Sequence, residues 1–85
     1  MIMHIRNNIH VVTASYSLDE VDDPEEMDAQ LEAVSGRGAD ARGVAVTTHQ
    51  RDMSWDCDSE EEAQMLSKRL QQVPNVTVEI IEIED

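Results

Sequence analysis

The chain is nearly devoid of aromatic residues. Tyr16 and Trp55 are the only two in 85 residues, and there is no phenylalanine. The core must therefore be built from Ile, Val, Leu, Met and Ala, which leaves little volume for a buried ligand pocket. Cysteine is as scarce: Cys57 stands alone, so no intrachain disulfide can form. With His4, His10 and His49 scattered along the chain, no zinc-ligand spacing arises. No apolar run approaches the roughly 20 residues that cross a bilayer. The segment Met1-Ile2-Met3-His4-Ile5-Arg6 lacks the apolar stretch of a signal peptide. Together these absences point to a reduced, soluble, cytoplasmic protein.

Positive charge is the other shortage. One lysine and five arginines stand against 19 acidic residues, a formal net charge of −13. Nucleic acid and anionic membrane are both held by Lys and Arg, so neither is expected as a direct ligand. The length fits one domain, 1–85, with a small stability margin. Completion of so small a core by homodimerisation is a reasonable expectation.

The acid is blocked rather than spread. The first block holds Asp19, Glu20, Asp22, Asp23, Glu25, Glu26, Asp28 and Glu32. The second holds Asp56, Asp58, Glu60, Glu61 and Glu62, and Glu79, Glu82, Glu84 and Asp85 follow at the end. Arg37, Arg42 and Arg51 lie between the first two blocks.

Ile9 to Leu18 is expected to be a strand, because β-branched residues dominate it and apolar positions alternate. Ile2 to Arg6 suggests a shorter strand before it, joined by an Asn7-Asn8 turn; one long strand bulged at the asparagines is the alternative. A first helix starts at Asp23 (N-cap), Pro24 (first position) and Glu26 (capping box). Met27, Leu31 and Val34 form its apolar stripe, and Gly36 and Gly38 end it. Gly43 to His49 is expected as a strand with Val44, Val46 and Thr48 on one face. Gln50 to Cys57 either continues it or folds back as a hairpin, with Met53, Trp55 and Cys57 sharing a face. Ser59 and Glu62 open a second helix, striped by Ala63, Leu66, Leu70 and Val73 and stopped by Pro74, with Lys68 and Arg69 near its negative end. Val76 to Ile83 is the last strand. Its phase slips at the adjacent Ile80 and Ile81, which calls for a bulge or a second apolar face turned to a partner. The order β(β)αβ(β)αβ gives an α+β fold: an antiparallel sheet of 3–5 strands, two helices on one face, with ferredoxin-like the nearest common topology.

Few of the residues assemble into chemistry. Asp56-x-Asp58-x-Glu60 has the start of a calcium loop, but Glu61 occupies the position that needs glycine and Ser67 the position of the bidentate glutamate. Cys57 is flanked by two aspartates, which disfavour a thiolate, and is expected as a buried strand residue. Gly36-x-Gly38 is a helix stop, without the lysine of a phosphate loop. Arg37, Arg42 and Arg51 are expected to pair with neighbouring carboxylates. Tyr16 and Trp55 are expected in the core, or as anchors for a partner if exposed. No catalytic set emerges, and no cofactor or metal is expected.

Capping accounts for Asp23, Glu25 and Glu26, but not for Asp19, Glu20, Asp22, Asp28 and Glu32. If both helix N-termini lie at the same edge of the sheet, the two blocks merge into one negative patch. The leading expectation is an interaction module, an inhibitor that occupies the basic nucleic-acid-binding surface of a partner protein. Its binding residues would be Asp19, Glu20, Asp22, Asp23, Glu25, Glu26, Asp28, Glu32, Asp56, Asp58, Glu60 and Glu61. In size and acidity the chain is similar to small phage-encoded antagonists of host nucleic-acid machinery, anti-CRISPR proteins among them. That resemblance is one of composition and carries over no residue roles. The alternative is a structural or assembly domain whose acidity serves solubility or salt adaptation. A third reading, a small-ligand site, would need His10, His49 and the Arg37/Arg42 loop to meet.

Overall fold

The computed structural model describes residues 9–83. The elements run β1 (Ile9–Ser17), α1 (Pro24–Ser35), β2 (Ala41–Ala45), β3 (Gln50–Cys57), α2 (Glu60–Leu70) and β4 (Thr77–Ile83). The four strands form one sheet in the order β2-β3-β1-β4, antiparallel at every junction. β1 and β2 therefore run the same way with β3 inserted between them, the split β-α-β of ferredoxin-like topology. The strand expected at Ile2–Arg6 and the Asn7-Asn8 turn lie outside the described residues.

The period-two pattern of β1 decides which face is covered. His10, Val12, Ala14 and Tyr16 are buried while the intervening residues are not. Their partners in register on β3 are Cys57, Trp55, Met53 and Arg51. Trp55 and Met53 are completely buried, as are Leu31 of α1 and Ala63 and Leu70 of α2. These side chains make one cluster, so both helices cover the same face. Each large side chain in it contributes on the order of 1.5–3 kcal/mol by leaving water. The two aromatic residues are core residues, and each has a partner for its polar atom. The indole Nε1 of Trp55 donates to the Arg37 carbonyl at 3.2 Å, and the Tyr16 hydroxyl donates to Asp28 Oδ1 at 2.7 Å.

Both helices start as their sequences dictate. The Asp23 carboxylate accepts from the Glu26 amide, and the Ser59 hydroxyl accepts from that of Glu62. α1 ends at Gly36, whose φ of 84° is left-handed and needs glycine. α2 ends at Leu70, four residues short of Pro74. Val73 nevertheless stays buried in the turn beyond it.

The segment expected as a strand over Gly43–His49 differs. β2 is shifted to 41–45, and residues 46–49 form the turn that lets Ala45 pair with Gln50. His49 closes that turn at a positive φ of 51°. Val46 is consequently 80% exposed rather than packed with Val44. Gln50–Cys57 is the hairpin partner, not a continuation. In β4 the phase slip is not a bulge: the register with β1 runs unbroken from Ser15↔Thr77 to Ile9↔Ile83. Ile80 stands opposite Val12 on the helix face, and Ile81 and Ile83 stand opposite Val11 and Ile9 on the open face.

Candidate functional site: the acidic ends of the sheet

The two helix N-termini lie at opposite ends of the sheet. α1 begins just beyond the C-terminal end of β1, and α2 just beyond that of β3. β1 and β3 are antiparallel, with Ser17 opposite Gln50 and His10 opposite Cys57. The distance between the ends is set by the length of a nine-residue strand, about 27 Å at the usual rise per residue. The expected merging of the two acidic blocks into one patch therefore does not occur. The capping signals are local, whereas strand direction is set by pairing between distant residues.

The first block divides in two. Asp28 is buried beneath the two inner strands, where its Oδ2 accepts from Arg51 Nε of β3 at 2.6 Å and its Oδ1 from the Tyr16 hydroxyl of β1. Glu32 Oε2 accepts from Arg42 at 2.7 Å and from the Ala39 amide at 3.1 Å. These two acids join α1 to the β2–β3 hairpin and are part of the fold, not of a binding surface. Asp19, Glu20, Asp22, Asp23, Glu25 and Glu26 are all exposed. No lysine or arginine among the described residues reaches any of them; the imidazole of His49 lies beside Asp19, Nδ1 to Oδ1 3.4 Å.

The second block is better compensated. Asp56, Asp58, Glu60 and Glu61 are exposed, but Arg37 stands beside them. Its Nη2 donates to the Asp56 carbonyl at 2.6 Å and lies 3.9 Å from Glu62. A groove of about 370 Å³ runs between the end of α1 and the start of α2, lined by Gly36, Arg37, Ser59, Glu62, Met65 and Arg69 among others. Because it carries both signs of charge, it selects for neither.

The arginines are paired as expected: Arg37 near Glu62, Arg42 with Glu32, Arg51 with Asp28. The Asp28–Arg51–Tyr16 group was not visible in the sequence, since its members are up to 35 positions apart and each fits a blander role. It also sets the chemistry of Tyr16. Burial pushes the hydroxyl pKa well up from its ordinary value, and the Asp28 carboxylate pushes it further. Cys57 is buried, and its thiol is likewise raised; burial is the main cause, with Glu62 adding to it and Arg37 opposing. The flanking aspartates thus matter less than burial.

His10 and His49 lie at opposite ends of the sheet, so the small-ligand site expected from them with Arg37 and Arg42 is not assembled. No helix among the described residues is long and apolar enough to cross a membrane.

The open face of the sheet is the other notable surface. Cross-strand register puts Ser15, Ser17, Gln50, Thr77 and Glu79 together at the end near α1, where with Glu20 they line a polar depression of about 430 Å³. At the other end Ile9, Ile81 and Ile83 are 39%, 50% and 51% exposed.

No protein-family model and no curated protein matches the chain. Among solved structures, the fold is similar to that of uncharacterized protein TM1266 from Thermotoga maritima, with a TM-score of 0.58. The identity is 13%, and the match covers 93% of this chain and 99% of that one. The likeness is one of fold.

Proposed function

We propose that this chain is an acidic protein-interaction module that occupies a basic, nucleic-acid-binding surface of a partner protein and acts there as an inhibitor. One observation supports the reading: six carboxylates within residues 19–26 lie at the surface, with no lysine or arginine among the described residues on them, while Asp28 and Glu32, a turn or two away, are bound by arginines. Concentrated, uncompensated charge at one end of a small domain speeds association with a surface of opposite sign and makes it salt-sensitive.

The binding set narrows accordingly to Asp19, Glu20, Asp22, Asp23, Glu25 and Glu26. Asp56, Asp58, Glu60 and Glu61 form a separate, weaker surface. The test is displacement of an oligonucleotide from a basic nucleic-acid-binding protein recovered with this chain. The wild type should release the oligonucleotide, less so as salt rises, and the variant E20K/D22K/E25K/E26K should not. Equal displacement by both would refute the reading. An assembly domain is the second reading, favoured by the exposed Ile81 and Ile83. Sedimentation of the isolated protein tests it: that reading expects a dimer.

A further inference from the structure

We propose that the outer face of α2 pairs antiparallel with the same face of a second copy of this chain, about a two-fold axis at Met65. The proposal goes beyond the inhibitor reading and uses none of residues 19–26. α2 turns Ala63, Leu66 and Leu70 into the core, and Glu61, Glu62, Met65, Lys68 and Arg69 are exposed on its other side. On a helix, the residues three and four positions away are the neighbours of a given side chain. Glu61 and Glu62 precede Met65 at those spacings, and Lys68 and Arg69 follow it at the same spacings. Opposite charges thus stand at equal distances about one apolar side chain. An antiparallel copy centred on Met65 brings Glu61 to Arg69 of the second copy and Glu62 to its Lys68, and the axis repeats both pairs. α1 has no such symmetry: Glu25 and Glu26 open it, and its last turn holds no basic residue.

The groups are available. Arg37, Arg42 and Arg51 are taken up by carboxylates of their own chain, whereas Glu61, Lys68 and Arg69 have no side-chain partner among the described residues. Glu62 has only Arg37, at 3.9 Å. Acids first and bases last also suit the helix dipole, but the dipole asks for no exposed methionine between them. Met65 is 53% exposed. The groove of about 370 Å³ runs beside it, with Leu66 and Gly36 among its lining, and offers the second copy's methionine a surface to enter.

Charge order selects the occupant. A helix that complements this face must carry acid, an apolar residue and base at the same spacing when laid antiparallel, and α2 is itself such a helix. The net charge of −13 opposes association at long range. At about 0.15 M salt, however, screening acts beyond about 8 Å, while paired groups lie within about 4 Å. An 11-residue helix is about 16 Å long. It covers less than the roughly 800 Å² per partner of a standard interface, so the dimer is weak.

Sedimentation equilibrium up to about 0.5 mM chain in about 0.15 M salt tests the proposal. The expected result is a monomer–dimer equilibrium in the wild type, weakened roughly tenfold or more in K68E/R69E. E61K/E62K lowers the net negative charge, so general repulsion would strengthen association there; the proposal expects it to weaken. An equimolar mixture of the two variants should recover the dimer as a mixed one, because one chain then presents only acid and the other only base. Met65→Lys is the second variant should either double one fail to fold, and it too should weaken association. A wild type that stays monomeric throughout overturns the proposal. So does stronger association of E61K/E62K, or a mixture no more associated than its separate components. A dimer lost in I81K/I83K and retained in K68E/R69E overturns it in favour of the open face of the sheet.

Discussion

Asp22 and Asp28 lie six positions apart in one acidic run, and they do opposite things. Asp28 sits one turn into α1, on the face that meets the sheet, where it is bound by Arg51 and by the Tyr16 hydroxyl. Asp22 sits in the connection before the helix, exposed and without a cationic neighbour among the described residues. The same side chain is a structural tie in one place and free charge in the other. Burial and helix phase separate the two roles. Net charge is therefore a poor guide to function until the acids that the fold itself consumes are removed from the count. Glu32 is also consumed, and Asp23 in part as the cap of α1; the rest of the cluster over residues 19–26 is not.

Substitutions can break this contrast, and the largest effect is expected at the tie. Asp28→Ala leaves a part-buried guanidinium without its partner and the Tyr16 hydroxyl with only the Pro24 carbonyl, 3.1 Å away. It should cost about 2–4 kcal/mol in urea unfolding, and Asp28→Asn less, because an amide oxygen still accepts from Tyr16. A smaller loss is expected for Glu32→Ala. Its ion pair with Arg42 is solvent-screened, so the total, including the Ala39 amide bond, should be about 1 kcal/mol. E20K/D22K should leave stability within about 0.5 kcal/mol of wild type, or raise it slightly at low salt, while weakening association with a basic partner. If the loop substitution destabilised as much as Asp28→Ala, the division into structural and free acids would fail.

The tie also has a pH signature. Tyr16 and Cys57 both have folded pKa values above their ordinary values, near 10 and 9. The neutral forms are favoured in the native state. Their stabilisation is therefore fully present below those ordinary values and is lost as pH rises through the folded ones. Stability should be flat at neutral pH and fall above about pH 9–10. Tyr16→Phe should be less stable at pH 7 yet lose less between pH 9 and 11. Chemical unfolding at several alkaline pH values checks it, and an equal alkaline loss in the variant would contradict it.

Much of the fold was legible in local signals. Asp23-Pro24-x-Glu26 and Ser59-x-x-Glu62 mark both helix starts, and the alternation in β1 and β3 marks the buried face. The ends of β2 were not legible, because Val44-x-Val46 alternates like a strand while the turn is imposed by hairpin pairing. The acidic residues were visible at once, but their grouping was not. Whether the two helix caps share an end depends on the β1–β3 direction, a contact between residues 33 to 47 positions apart. The pairing of Asp28 with Arg51 depends on the same long-range register. The double isoleucine in β4 was readable as two alternatives, and the unbroken register selects the exposed second face.

The central claim is that the acid over residues 19–26 is a surface kept for a partner rather than an adaptation to salt. Urea unfolding of wild type and E20K/D22K in about 0.1 M and about 2 M sodium chloride tests it without knowledge of the partner. Screening lengths of about 10 Å at the lower concentration leave the cluster's self-repulsion intact. The account predicts that the wild type is fully folded in 0.1 M salt, and that the variant is equally or slightly more stable there with the difference vanishing at 2 M. A wild type that is unfolded in 0.1 M and folds only in molar salt would contradict it.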